Sequence, residues 1–161
     1  MLKNALLHTI LPWLRPPKLP LNAPLGEKIL VVSTTALGDT LWATPALASL
    51  RASFPDAFIG MMTAPIGMQI LKHNPHIDEL FVLKEPLLPR FFQLKNHLLQ
   101  LRFDTILLFH ASQRLTLPLC SLLGAKVIAG TTGINKGLDS LLTHGAPPLF
   151  EHEISRRLNL V

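Results

Sequence analysis

The sequence predicts an open, doubly wound parallel α/β sheet, and three observations carry that prediction. Short apolar runs recur at 28–32, 58–63, 79–83, 104–109 and 126–129. Between them lie segments with apolar residues at three- and four-residue spacings, long enough to serve as crossover helices. Runs that are apolar throughout, such as Ile29-Leu30-Val31-Val32 and Ile106-Leu107-Leu108-Phe109, suit strands covered on both faces. Strands joined through helices on one sheet run parallel.

The elements follow in order. Residues 1–26 stand apart from the globular unit, which covers 27–161. Leu2, Leu6, Ile10 and Trp13 share one helical face, with Leu7, Leu11 and Leu14 beside them. Lys3 before an apolar core resembles a signal peptide, but Arg15-Pro16-Pro17-Lys18 stands where a small-residue cleavage site would be. Such a face suits a membrane surface or a partner protein, or else packs on its own domain. Pro16, Pro17, Pro20 and Pro24 make the next stretch an extended tether. The first strand, 28–32, leads through a polar exit to a helix from about Asp39 to Ser53. A second strand at 58–63 and a short helix at 66–73 end at Asn74-Pro75. After a third strand, 79–83, comes a longer helix carrying Phe91, Leu94, Leu98 and Leu101. The fourth strand, 104–109, precedes a helical stretch at 115–123 that Pro118 kinks or starts. A fifth strand at 126–129 is stopped by Gly130, residues 130–148 read as loop, and 151–160 as a final helix.

Composition narrows the function. At 161 residues the chain holds one domain with a real core, and 48% hydrophobic with 16% charged residues fits a folded globular unit. A net charge of +5 and a pI of about 9.8 favour anionic partners. No Lys/Arg run concentrates that charge, Tyr is absent and aromatics are only 6%, so stacking surfaces for nucleic acid are poorly supplied. Nucleic acid is therefore not expected as a partner. No apolar run approaches the ~20 residues of a membrane-spanning helix. The single Cys120 forms no internal disulfide and suits a reducing compartment; it reads as a small buried hydrophobe or a reactive thiol.

The most informative stretch is Ser33-Thr34-Thr35-Ala36-Leu37-Gly38-Asp39-Thr40-Leu41-Trp42-Ala43-Thr44-Pro45. It places one Gly and one carboxylate where a strand hands over to a helix, the edge where open α/β sheets bind ligands. Two readings of Asp39 stand side by side. It is a good helix N-cap, worth about 1 kcal/mol, or a group that does chemistry. Thr44-Pro45 competes as the cap and first helical residue. Gly38 reads first as a tight-turn residue. Neither the dinucleotide glycine signature nor the P-loop is present. His110, Ser112 and Arg114 follow the fourth strand at the same edge, where Arg114 suits recognition of an acidic acceptor or a solvated helix start. No His/Cys/Asp cluster has metal-ligand spacing.

The ordered run Ala36-Leu37-Gly38-Asp39, Ala43-Thr44-Pro45-Ala46-Leu47, Leu50-Arg51 and Phe54-Pro55-Asp56-Ala57 resembles the opening of glycosyltransferase family 9, the ADP-heptose:lipopolysaccharide heptosyltransferases. Asn74-Pro75-His76-Ile77-Asp78-Glu79, Phe103-Asp104, Leu123-Gly124-Ala125 and His152-Glu153 continue the likeness through residues 27–161. The resemblance implies a Rossmann-like domain, the acceptor-side half of a two-domain GT-B fold, with the active site in the interdomain cleft. It implies inverting transfer of a heptose from ADP-heptose to a hydroxyl of the lipopolysaccharide inner core. Asp39 takes the place of the general base; Thr35, Leu37 and Gly38 beside it, and Ser112 and Arg114 by their place after the fourth strand, are expected around the substrates. No metal or other cofactor is implied.

Two departures accompany the likeness. Ser33 stands where the family usually carries Lys or Arg, and it brings no charge to an anion. Val161 ends the chain where the family continues into a donor-binding domain, so a separate donor-domain chain is an expected partner. Family members work in the cytoplasm at the inner face of the bacterial inner membrane, which the basic charge and amphipathic start permit. The other readings are a non-catalytic module that binds an anionic glycolipid or a partner, and a truncated, inactive remnant.

Overall fold

The computed structural model describes residues 26–111, 113–148 and 151–161. The amphipathic segment and its tether lie outside them, save Gly26. Six strands form one sheet: β1 (Lys28–Ser33), β2 (Phe58–Thr63), β3 (Glu79–Val82), β4 (Thr105–His110), β5 (Val127–Thr131) and β6 (His144–Ala146). Five helices connect or flank them: α1 (Leu37–Ser53), α2 (Pro65–Leu71), α3 (Leu87–Leu101), α4 (Thr116–Ser121) and α5 (Glu153–Leu158). The strand order is β3-β2-β1-β4-β5-β6, and every pairing is parallel. The expected doubly wound parallel sheet is borne out. Among the described residues no helix is long and apolar enough to cross a membrane.

Alternation along the strands divides the core between the two faces. Leu30 and Val32 of β1, with Ile106 and Leu108 of β4, pack under Leu87, Phe91 and Leu98 of α3 and Leu117 and Cys120 of α4. Ile29, Val31, Leu107 and Phe109 point the other way, against Ala43, Ala46, Leu47 and Leu50 of α1. Ile29, Leu30, Val31 and Val32 have no exposed surface at all, which is why β1 reads as an unbroken apolar run. Each such side chain contributes about 1.5–3 kcal/mol by its burial.

Several family-like motif residues serve the frame. Arg51, in the last turn of α1, donates to the Ala57 carbonyl at 2.6 Å and pairs with Asp78 at 2.6 Å. Asp78 Oδ2 also accepts the Ile59 N–H at 2.7 Å, tying α1 to the amino end of β2. Asn74 Oδ1 accepts the His76 N–H at 2.9 Å and shapes the turn before β3.

The sheet corrects one reading. Gly130 does not stop β5; it pairs with Leu108 on one side and Gly145 on the other. A Cβ there would lie 3.2 Å from Leu142 Cδ2, so glycine admits the neighbouring segment. The stretch expected as loop contains a 3-10 turn at Asp139–Leu141 and the edge strand β6. Thr143 locks that return to β5, accepting the Ile128 N–H at 2.8 Å while its own N–H donates to the Ile128 carbonyl.

Candidate functional site

The strand order reverses direction between β1 and β4, leaving a crevice beyond their carboxyl ends. Ser33, Thr34, Thr35 and Ala36 leave β1 there and enter α1. The Thr34 N–H donates to the His110 carbonyl at 3.1 Å, holding this exit against β4. The β1/β4 register shifts between Val32 and Ser33, so Ser33 sits opposite His110.

Helix α1 starts earlier than expected, and neither proposed cap caps it. Ala36 is the N-cap and has no side-chain bond, while Asp39 lies inside the first turn. A carboxylate there still meets the favourable field of the helix N-terminus. Gly38 is a helical residue with no left-handed φ, and a Cβ on it would meet nothing within 4 Å. No tight turn requires it. Pro45 sits in the helix interior and cannot donate to the Leu41 carbonyl. The Thr44 hydroxyl donates to that carbonyl instead, at 2.8 Å, so Thr44-Pro45 continues the helix rather than starting it.

The cluster around Asp39 is assembled from three elements. His110 Nδ1, at the end of β4, lies 3.9 Å from Asp39 Oδ1. Arg157 Nη2, from α5, lies 3.4 Å from the same oxygen and 3.5 Å from Glu153 Oε2. Arg157 is only 1% exposed, whereas the Asp39 and Glu153 side chains keep 21% and 26%. Burial pushes the Arg157 guanidinium below its ordinary range, and the charges of Glu153 and Asp39 pull it back up. Arg156 pairs with Glu153 at 2.6 Å, which fixes the second carboxylate from the outside. His152 Nδ1 caps α5 by accepting the Ile154 N–H, and its ring meets Trp42 of α1 edge-on at 5.5 Å.

Asp39, His110 and Glu153 can each bring one ligand atom within 4.8 Å of the others, a grouping their sequence spacing did not show. The Arg157 guanidinium contacts both carboxylates of that group, so the place a cation would take is held by a protein cation. The cluster therefore suits a charged hydrogen-bond network better than a metal.

The expected site residues divide. Thr35, Leu37 and Gly38 flank Asp39 at the crevice. Leu37 is 46% exposed, and Thr35 is buried with an Oγ1 that has no partner among the described residues. Ser33 Oγ, Thr63 Oγ1 and Thr131 Oγ1 are likewise buried and unpartnered among the described residues, at the carboxyl ends of β1, β2 and β5. A row of unsatisfied buried hydroxyls marks this edge as one that a polar ligand or solvent can complete. Ser112 lies outside the described residues. Arg114 does not join Asp39; it lines a narrow crevice with Gln113, Leu117, Asn135 and Lys136. Arg157 and Glu153 were missed as site residues. Their i,i+4 spacing was visible, but it reads as an ordinary helical ion pair.

No protein-family model and no curated protein matches the chain. Solved structures do. Escherichia coli heptosyltransferase WaaC with ADP superposes with a TM-score of 0.69 at 16% identity, over 83% of this chain and 46% of that one. A glycosyl transferase family 9 structure from Veillonella parvula gives 0.68 at 21% identity, over 83% and 39%. Escherichia coli ADP-heptose lps heptosyltransferase II gives 0.63 at 19%, again over 83% and 39%. The chain thus spans less than half the length of these structures. The resemblance read from the motifs is borne out as a likeness of architecture: the chain has the Rossmann-like α/β fold that these glycosyltransferase structures contain.

Proposed function

We propose that this domain is the acceptor-side wall of a glycosyltransferase, with Asp39 as general base in the inverting transfer of a heptose from ADP-heptose to an inner-core hydroxyl of lipopolysaccharide. The observation that carries the reading is a half-buried carboxylate at the β1/β4 crevice, in a fold that structures of heptosyltransferases share. In this reaction Asp39 takes the proton of the acceptor hydroxyl. The acceptor oxygen bonds to the anomeric carbon, and the bond from that carbon to the donor phosphate breaks. Its electron pair leaves with the nucleoside diphosphate. The base must lie within hydrogen-bond reach of the hydroxyl. Thr35, Leu37 and Gly38 line the acceptor's approach, and the uncapped amides of α1 favour negative charge on either substrate. Donor contacts come from a second domain.

Binding and transfer are tested separately. Adding a Kdo-containing acceptor to the labelled chain should shift the amide resonances of residues 35–39; unmoved resonances at millimolar acceptor refute the acceptor-side assignment. Where a donor domain is supplied, Asp39→Ala should lower sugar transfer from ADP-heptose by about a hundredfold or more. Full activity of that variant removes Asp39 from the role of base.

A further inference from the structure

Asp39 is held asymmetrically. Both groups that approach it, Arg157 Nη2 at 3.4 Å and His110 Nδ1 at 3.9 Å, face the same oxygen, Oδ1. Among the described residues Oδ2 accepts no hydrogen bond. The His110 Nδ1 atom is itself buried and without a hydrogen-bond partner among the described residues. The main chain that carries the ring is anchored, because the His110 carbonyl accepts the Thr34 N–H of the β1 exit.

We propose that His110 and Arg157 are positioning residues that hold Asp39 through Oδ1 alone, leaving Oδ2 as the oxygen that accepts the substrate proton. This rests on the reading of Asp39 as general base. A carboxylate held through one oxygen turns less freely about its Cβ–Cγ bond, so the other oxygen keeps a preferred direction. Arg157 supplies charge from a site closed to solvent, with Glu153 sharing its guanidinium at 3.5 Å. His110 supplies an N–H once the gap closes by about 1 Å to hydrogen-bond length, a tightening common when substrate arrives. For that donation its neutral ring must carry the proton on Nδ1, whereas water favours the other nitrogen. Which nitrogen holds the proton is set by the partner the ring finds. When transfer occurs, the acceptor proton ends on Oδ2, and the electron pair of the broken glycosyl bond leaves with the diphosphate.

The first test needs no activity. Nitrogen-15 spectra of the whole chain, recorded above the pH at which the imidazolium signal disappears, should show the His110 proton on Nδ1. In Asp39→Ala the proton should move to Nε2, a change that a purely packing role would not produce. A bare Nδ1 in the wild-type protein overturns the proposal. The second test reads transfer in the complemented enzyme. His110→Asn keeps a donor near the Nδ1 place and should stay within about threefold of wild type, while His110→Ala loses about ten- to a hundredfold in kcat with KM unchanged. Equal rates for the two, with equal melting temperatures, overturn the positioning role. If Asp39→Ala itself keeps full activity, the base assignment fails, and the ring tautomer still decides whether His110 donates to Oδ1.

Discussion

Replacing Arg157 by Met removes the one buried cation of the cluster and leaves Asp39 and Glu153 facing each other. Their ligand-capable oxygens lie within 4.8 Å. Two unit charges at that separation repel by roughly 3.5 kcal/mol at an effective dielectric of ~20, and by roughly 0.9 kcal/mol in water. In the wild type the attraction of Arg157 to both carboxylates offsets this repulsion, and its removal leaves the repulsion uncompensated; with both side chains about a quarter exposed, the cost falls between these limits, at about 2 kcal/mol. Met fills most of the space of the Arg stem, so packing loss is small beside the charge effect. Urea unfolding at pH 7 should show the midpoint falling with m unchanged. The melting temperature should drop by about 6 °C. Adding Glu153→Gln to Arg157→Met removes one of the two charges and should recover at least half of the loss. A single variant within 0.5 kcal/mol of wild type, or a double variant that recovers nothing, would refute the clamp.

Four further outcomes follow from the packing. Burial pushes the Cys120 thiol up to about 12, so it stays protonated in the folded chain above pH 9, where the unfolded chain has lost its proton. Stability should therefore fall between pH 9 and 12 by at most about 1.4 kcal/mol per pH unit, with no Tyr titrating in that window, and Cys120→Ala should flatten the slope. The same thiol should resist disulfide reagents at pH 8 until urea unfolds the chain. Thr44→Val should cost about 1 kcal/mol, because the Leu41 carbonyl loses its donor, but almost nothing in a Pro45→Ala background that restores the backbone N–H. Gly60→Ala should destabilise by about 1–3 kcal/mol, since its Cβ would lie 2.8 Å from the Phe103 ring, which packs edge-on against Phe81; denaturant titration reads both.

The strands were legible because parallel strands buried on both faces must be apolar throughout, as Ile29–Val32 and Ile106–Phe109 are. β6 was not, since His144-Gly145-Ala146 has no β-branched or large apolar residue. That strand exists because Thr131 and its neighbours offer an unpaired edge. The start of α1 was misread because a signal can be right in chemistry and wrong in use. Thr44 does bond a backbone carbonyl, but it repairs the break made by Pro45 rather than capping an end. Asp39 could be singled out from its place after an apolar strand. Its partners could not, because His110 and Arg157 reach it only through strand order and the packing of α5 on α1. Arg51 and Asp78 carried much of the motif likeness yet hold the opposite, amino edge of the sheet. A family-like residue can thus report a shared frame without reporting a shared site.

The sequence separation of 118 from Asp39 to Arg157 also sets a clock. Chains leave the ribosome at ~5–20 residues per second, so Asp39 emerges about 6–24 s before the guanidinium that will hold it. Through that interval β1 and α1 can already pair with β2, while the carboxylate remains open to water. The crevice gains its final electrostatic form only when α5 docks, and any nascent chain arrested before Glu153 displays a sheet with a loosely held Asp39 carboxylate.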